Sequence, residues 1–280
     1  MDPVRAVMRL GGAARRGTLL AQGVTRRAID AAVRDGALCR PFTGVLALPH
    51  AYPYAAQACY FDARVSCVSA VRAHGLRLLD PAEDLHLEIA AARGGTASES
   101  KAREGVVLHR TRSHRQGSRI VPVARALDMM SHCVSPLAQL VAIDHALARG
   151  DLRRSEMADF TVTPLTTRRW LEHAAEPGAG SVPETCARVA MRAAGLHVEV
   201  QASLGNGKRA DFLVEGVLYV EIDGKSYHSD PGQFTEDRRR DRRIVAEQKS
   251  VIRFAYADAV YHPDRLVADV LACLEAIRTR

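Results

Sequence analysis

Two carboxylates stand inside the most strand-like run of this 280-residue chain. Leu218-Tyr219-Val220-Glu221-Ile222-Asp223 is apolar enough for a buried strand, yet Glu221 and Asp223 fall two residues apart at its end. Alternation along a strand puts both on one face, roughly 7 Å apart, with Val220 and Ile222 on the other. Carboxylates are costly in a sheet core, so a pair facing one way needs a reason. Asp211 lies in a second strand-like run, Arg209–Val214. From the adjacent strand it could join the pair to hold Mg²⁺, a hard cation that takes few carboxylates and keeps several waters. Such an ion would polarise a scissile phosphate and lower the pKa of an attacking water. Read without a metal, the same residues are an exposed acidic edge, and Gly224 is an ordinary turn.

The neighbouring segments give these strands a context. Pro183 opens a helix to Ala194 that Gly195 closes, and proline is tolerated in a first turn. Val198–Gln201, a turn at Gly205-Asn206-Gly207, Arg209–Val214 and Leu218–Ile222 read as three consecutive strands. A charged helix over Phe234–Gln248, a fourth strand at Val251–Phe254 and a last helix over Pro263–Ile277 complete an αβββαβ order with a terminal helix. The arginines at 238–240, 242 and 243 alternate with Glu236, Asp237, Asp241 and Glu247, so many of them can pair along a solvated helix face.

Charge concentrates at the other end. The net charge is +7 with a pI near 9.3. Residues 1–50 hold eight arginines against Asp2, Asp30 and Asp35. A basic terminal module is the electrostatic footprint of a phosphate-backbone binder. Helices are expected over Val4–Leu10, Ala13–Gln22 and Arg26–Asp35, the last capped by Thr25 with Ile29 and Val33 on one face. Arg26, Arg27 and Arg34 are left outward. Ala37–Arg40 and Val45–Leu48 then form a hairpin across Pro41–Gly44. Three helices and a two-stranded wing follow the winged helix-turn-helix plan, with the third helix in a major groove. A small helical cap that binds protein is the other reading.

The middle of the chain is less informative. A helix is expected over Asp62–His74, strands over Leu85–Ala91 and Val106–Arg112 joined by the polar loop Arg93–Glu104, and helices over Val123–His132 and Leu137–Leu147 with a Ser135-Pro136 start. His74, His86, His109, His114, His132 and His145 are too dispersed to indicate a site and read as surface or packing residues. The six cysteines (39, 59, 67, 133, 186, 273) include no CxxC, which argues against a zinc ribbon or finger and for buried reduced thiols in a cytoplasmic protein. Glu176–Ser181 reads as the best linker. No phosphate loop or dinucleotide fingerprint occurs, and no run looks membrane-spanning or like a secretory leader. The single Trp170 and few other aromatics disfavour a dedicated single-strand binder.

Two resemblances sharpen this. Arg16–Ile29, with Arg40 and Gly44–Pro49, resembles the N-terminal domain of AbiEi-type antitoxins, a winged helix that represses its own operon. The middle region resembles the central portion of the same group. Pro183-Glu184, Arg209–Phe212, Val220–Gly224, His228, Asp237–Asp241 and Val251–Phe254 resemble the endonuclease-like domain related to very-short-patch-repair (Vsr) endonucleases, of the PD-(D/E)XK superfamily. The implied division is 1–50 for the winged helix, 51–175 for the antitoxin-like middle and 181–278 for the nuclease-like domain. The resemblance implies Asp211 and Glu221 as metal carboxylates for Mg²⁺ or Mn²⁺, with the Ile222 carbonyl as a further ligand. It implies Glu184 as an auxiliary acid, His228 as a proton carrier and Arg240 as a phosphate contact. Asp223 stands where the motif lysine would be, and Lys225 or His228 could substitute for that lysine.

An α/β multi-domain protein is therefore expected. Its first expected function is metal-dependent DNA endonuclease. The alternatives are an AbiEi-like repressor that keeps a non-catalytic nuclease fold, with a nucleotidyltransferase-like toxin as partner, and an interaction protein whose middle region docks a partner.

Overall fold

The computed structural model describes residues 1–51, 54–81, 83–91, 104–112, 119–179, 181–205, 208–223 and 250–279. The protein is mixed α/β and forms two compact units. Unit 1 comprises Met1–Gly75 and Asp80–Cys133; unit 2 comprises Leu76–Leu79 and Val134–Arg280. No described helix is long and apolar enough to cross a membrane.

Unit 1 opens with α1 (Pro3–Arg9), started by the Asp2 side chain, which accepts from the Val4 amide. The segment after Gly12 is expected to be helical but begins as a strand, β1 (Ala13–Arg15), before α2 (Arg16–Ala21). Ala13 and Ala14 are buried against β2 (Val45–Ala47), which pairs antiparallel with β1, so tertiary pairing overrides alanine's helix preference. The expected hairpin survives as one bridge, Cys39 to Ala47, on the far side of β2. Between them runs α3 (Arg26–Arg34), capped by Thr25, whose hydroxyl accepts from the Ala28 amide. Ile29 and Ala32 face a core shared with Ala6, Val7, Leu19, Val24 and Leu38.

The expected Asp62–His74 helix is broken. Helix α4 (Ala55–Phe61) ends at Asp62 in the left-handed conformation, β3 (Arg64–Val65) intervenes, and α5 (Cys67–Ala73) begins afresh. Strands β4 (Leu85–Ala90) and β5 (Val106–Thr111) lie where alternation places them, but run parallel. The order is β3-β4-β5, with β3 antiparallel to β4. Leu85, Leu87 and Ile89 fill one face of β4. Helix α6 (Val123–Met130) packs against α5.

In unit 2, α7 (Pro136–Arg149) starts at Ser135, as its capping pattern predicts, and stops at Gly150. Its Asp144 is fully buried and accepts from the Glu176 amide, the Thr185 hydroxyl and Arg188, all at 2.7–2.8 Å. Burial pushes the Asp144 carboxyl up to about 6, against the pull of Arg188. This network corrects the linker reading of Glu176–Ser181. The Glu176 backbone is anchored, Ala179 is buried, and Arg188 also donates to the Ala174 carbonyl, so the Pro-Gly run is packed within unit 2. The break between compact units falls instead after Cys133, not between 175 and 181.

Helix α8 (Leu165–Ala174) precedes α9 (Val182–Ala193), where Pro183 takes the first turn and Ser181 caps. Strands β6 (Val198–Gly205), β7 (Lys208–Val214), β8 (Leu218–Asp223) and β9 (Ser250–Ala255) form one sheet in that order. The first two pairings are antiparallel and β8–β9 is parallel. Glu215 and Gly216 both take positive φ in the β7–β8 turn, the requirement of a type I′ hairpin. Helices α10 (Tyr256–Tyr261) and α11 (Pro263–Arg278) follow, and Phe212, Val214, Val220, Phe254, Leu266 and Val270 share a core with α9. The expected helix Phe234–Gln248 lies outside the described residues.

Candidate functional site

Unit 2 brings the predicted acids to one end of its sheet. The β7–β8 ladder ends at the pair Phe212–Val220, immediately before Asp211 on one strand and Glu221 on the other. The Asp211 carboxylate accepts from the Ile222 amide at 2.7 Å. Alternation on β8 is as expected: Val220 and Ile222 enter the core, and Glu221 faces the other side, only 6% exposed. Asp223, at the strand end, is exposed. Glu184 is half-buried in the first turn of α9, its amide donating to Ser181. Lys225, His228 and Arg240 lie outside the described residues.

Sequence reasoning missed one participant. Arg253 on β9 is in register with Glu221, and its Nε donates to the Glu221 carboxylate at 3.0 Å. The cation across from a buried acid was legible only once β9 was known to run parallel beside β8. Glu221 and Asp211 supply oxygen donors suited to a hard cation, and a carboxylate has more than one acceptor position, so these bonds leave the ligand role chemically open.

Unit 1 holds a cluster the sequence reading passed over. The ligand atoms of Cys67, His86, His109 and Cys133 all lie within 4.8 Å of one another. No other such cluster of His, Cys, Asp and Glu occurs among the described residues, so the carboxylates of unit 2 are less tightly gathered. Cys67 is the first residue of α5. His86 on β4, in register with Val107, lies diagonally from His109 on β5, their rings stacked with centroids 5.3 Å apart. Cys133 follows α6, its amide donating to the Met130 carbonyl. His86 Nδ1 is 3.1 Å from His109 Nε2, and Cys133 Sγ is 3.8 Å from that same Nε2. Cys67, His86 and His109 are buried, while Cys133 faces solvent. His86 and His109, dispersed in the sequence, are thus brought together, and with them two cysteines that form no CxxC. The four could hold a metal ion.

The electrostatics suit neutral imidazoles. Burial pushes His109 down to about 4, aided by His86, and burial likewise lowers His86. Burial raises both thiols, Cys67 with help from Cys133. Two backbone features hold the cluster. The Ser66 amide donates to the His86 carbonyl, and the His86 amide donates to the Ser69 hydroxyl. Cys67 itself has φ +52, a conformation that costs a non-glycine residue about 1–3 kcal/mol. On the same face of β4, buried Glu88 accepts from Arg125 at 2.9 Å.

At the amino end, Arg26, Arg27 and Arg34 are exposed on α3. Arg16, at the start of α2, and Arg40, before β2, instead turn to Asp30 on α3, at 3.4 and 2.6 Å. No protein-family model matches this chain, and no curated protein matches it.

Proposed function

We propose that the chain is a metal-dependent DNA endonuclease, with a PD-(D/E)XK-like core in unit 2 and a winged helix-turn-helix in its first fifty residues. The observation that carries this reading is the Asp211 carboxylate held on the Ile222 amide, next to Glu221, at the carboxyl end of β8 beside a parallel neighbour. Crevices beyond the carboxyl ends of parallel strands are where open α/β sheets place ligands. The α9-β6-β7-β8-β9 order, with two antiparallel pairings and one parallel, agrees with the resemblance to Vsr-related nucleases.

Asp211, Glu221 and Asp223 would hold Mg²⁺ or Mn²⁺. When bound, the ion polarises a phosphate and lowers the pKa of a water. The Ile222 amide holds Asp211 at the strand end. Arg253 is always charged, so it serves as a phosphate clamp and not as a base. Glu184 supplies a further acid from α9. On the amino-terminal module, the exposed Arg26 and Arg27 at the start of α3 meet the duplex, and Arg34 extends the basic face.

One observation favours a second reading, an AbiEi-like repressor with a toxin partner. The ion pair between Arg253 and a nearly buried Glu221 is also how a purely structural carboxylate is neutralised. Supercoiled plasmid incubated with Mg²⁺, Mn²⁺ or chelator separates the two. Metal-dependent nicking that is lost in Asp211→Asn, which retains an acceptor for the Ile222 amide, supports the nuclease. Duplex binding without cleavage in either metal supports the repressor.

A further inference from the structure

We infer that Cys67, His86, His109 and Cys133 bind one zinc ion as a closed, structural centre. The donor set decides the class of ion. Two thiols and two imidazoles are soft to intermediate ligands, unsuited to Mg²⁺ and suited to zinc, which takes four such ligands tetrahedrally. The spacing agrees with this. Tetrahedral bonds of ordinary length separate two nitrogens by about 3.4 Å and a sulfur from a nitrogen by about 3.6 Å. The observed separations are 3.1 Å between His86 Nδ1 and His109 Nε2, and 3.8 Å between His109 Nε2 and Cys133 Sγ. Small movements complete the tetrahedron.

Charge balances too. Two thiolates and Zn²⁺ sum to zero, which suits a site with three buried ligands. The thiol protons leave to solvent on binding. Cys133, the last residue of unit 1, is the one exposed ligand of the four. The left-handed Cys67 is a second, independent sign: the fold holds an unfavourable backbone at the residue whose sulfur points into the cluster. With four protein ligands there is no open position, so the ion is a staple and not a catalyst. It ties the start of α5 to β4, β5 and the turn after α6, around a sheet of only three short strands.

The test uses the full chain, purified without a metal-affinity step, under reducing conditions. Elemental analysis is expected to find one zinc per chain. Exchange with Co²⁺ is expected to give visible d–d bands of tetrahedral intensity together with a thiolate-to-cobalt band in the near ultraviolet. Cys133→Ser alters an exposed position, so it tests the ligand without emptying the core. It is expected to weaken zinc binding by more than the ~10–100-fold that loss of an outer partner costs. Absence of zinc together with no cobalt spectrum at saturating Co²⁺ overturns the inference. So does a chain in which Cys67 and Cys133 are oxidised to each other and take up no zinc after reduction. Unchanged zinc affinity in Cys133→Ser overturns the four-ligand, closed geometry.

Discussion

Unit 1 gathers two thiols and two imidazoles, three of the four residues buried, whereas unit 2 lines carboxylates along the end of a strand whose last residue, Asp223, is exposed. The two sets differ in hardness, in burial and in how the chain assembles them. A closed set of soft donors keeps its ion through purification, and an open set of oxygens exchanges its ion with the buffer. If both proposals hold, one chain uses metal in two ways, once to hold a small sheet together and once to act on a substrate.

The largest expected effect separates the two directly. Asp211→Asn should lower Mg²⁺-dependent nicking by on the order of 10³-fold, about 4 kcal/mol in barrier, in a plasmid assay. Its zinc content should stay at one per chain, by elemental analysis. Loss of zinc in that variant would break the separation between the sites. Next in size is the buried pair of unit 2. Arg188→Leu should cost about 3–5 kcal/mol in denaturant unfolding, because Asp144 is left buried without its cation. The double variant Arg188→Leu with Asp144→Leu should recover much of that loss. A double variant as unstable as the single would show that the loss comes from the pair itself and not from the stranded Asp144.

A smaller effect sharpens the contrast from the other side. Stripping the chain with a zinc-selective chelator should lower Tm by more than about 5 °C, since the ion's binding energy is folding energy. Mg²⁺ added to the zinc-free chain should not restore it. Smallest of all, Arg26→Ala and Arg27→Ala should each weaken duplex binding uniformly across sequences. Each should also reduce the slope of log affinity against log salt by about 1, measured by fluorescence anisotropy.

What was legible in the sequence follows from chain distance. Asp211, Glu221 and Asp223 lie within a few strand lengths of one another, so alternation and a hairpin suffice to bring Asp211 next to Glu221. The caps at Ser135 and Thr25 act within three residues and are equally readable. Cys67, His86, His109 and Cys133 meet only because β4 and β5 run parallel and α5 is a helix of its own. No local pattern encodes that register. A usable signal did exist: His86 and Glu88 alternate with Leu85, Leu87 and Ile89 in a strand buried on both faces, and buried polar residues in such a strand require partners. The linker was misread because glycine and proline report backbone freedom, whereas the bond from the Glu176 amide to Asp144 reports packing. Arg253 was missed for the same reason as the cluster, since its partner lies across a parallel ladder.

The most direct measurement is the rate of supercoiled-plasmid nicking by the zinc-replete chain as Mg²⁺ is titrated, with Asp211→Asn alongside. The nuclease reading predicts a rate that rises with Mg²⁺ and saturates for the natural chain, and none above background for the variant. Equal rates in both chains, or no cleavage by either while duplex binding persists, would contradict it.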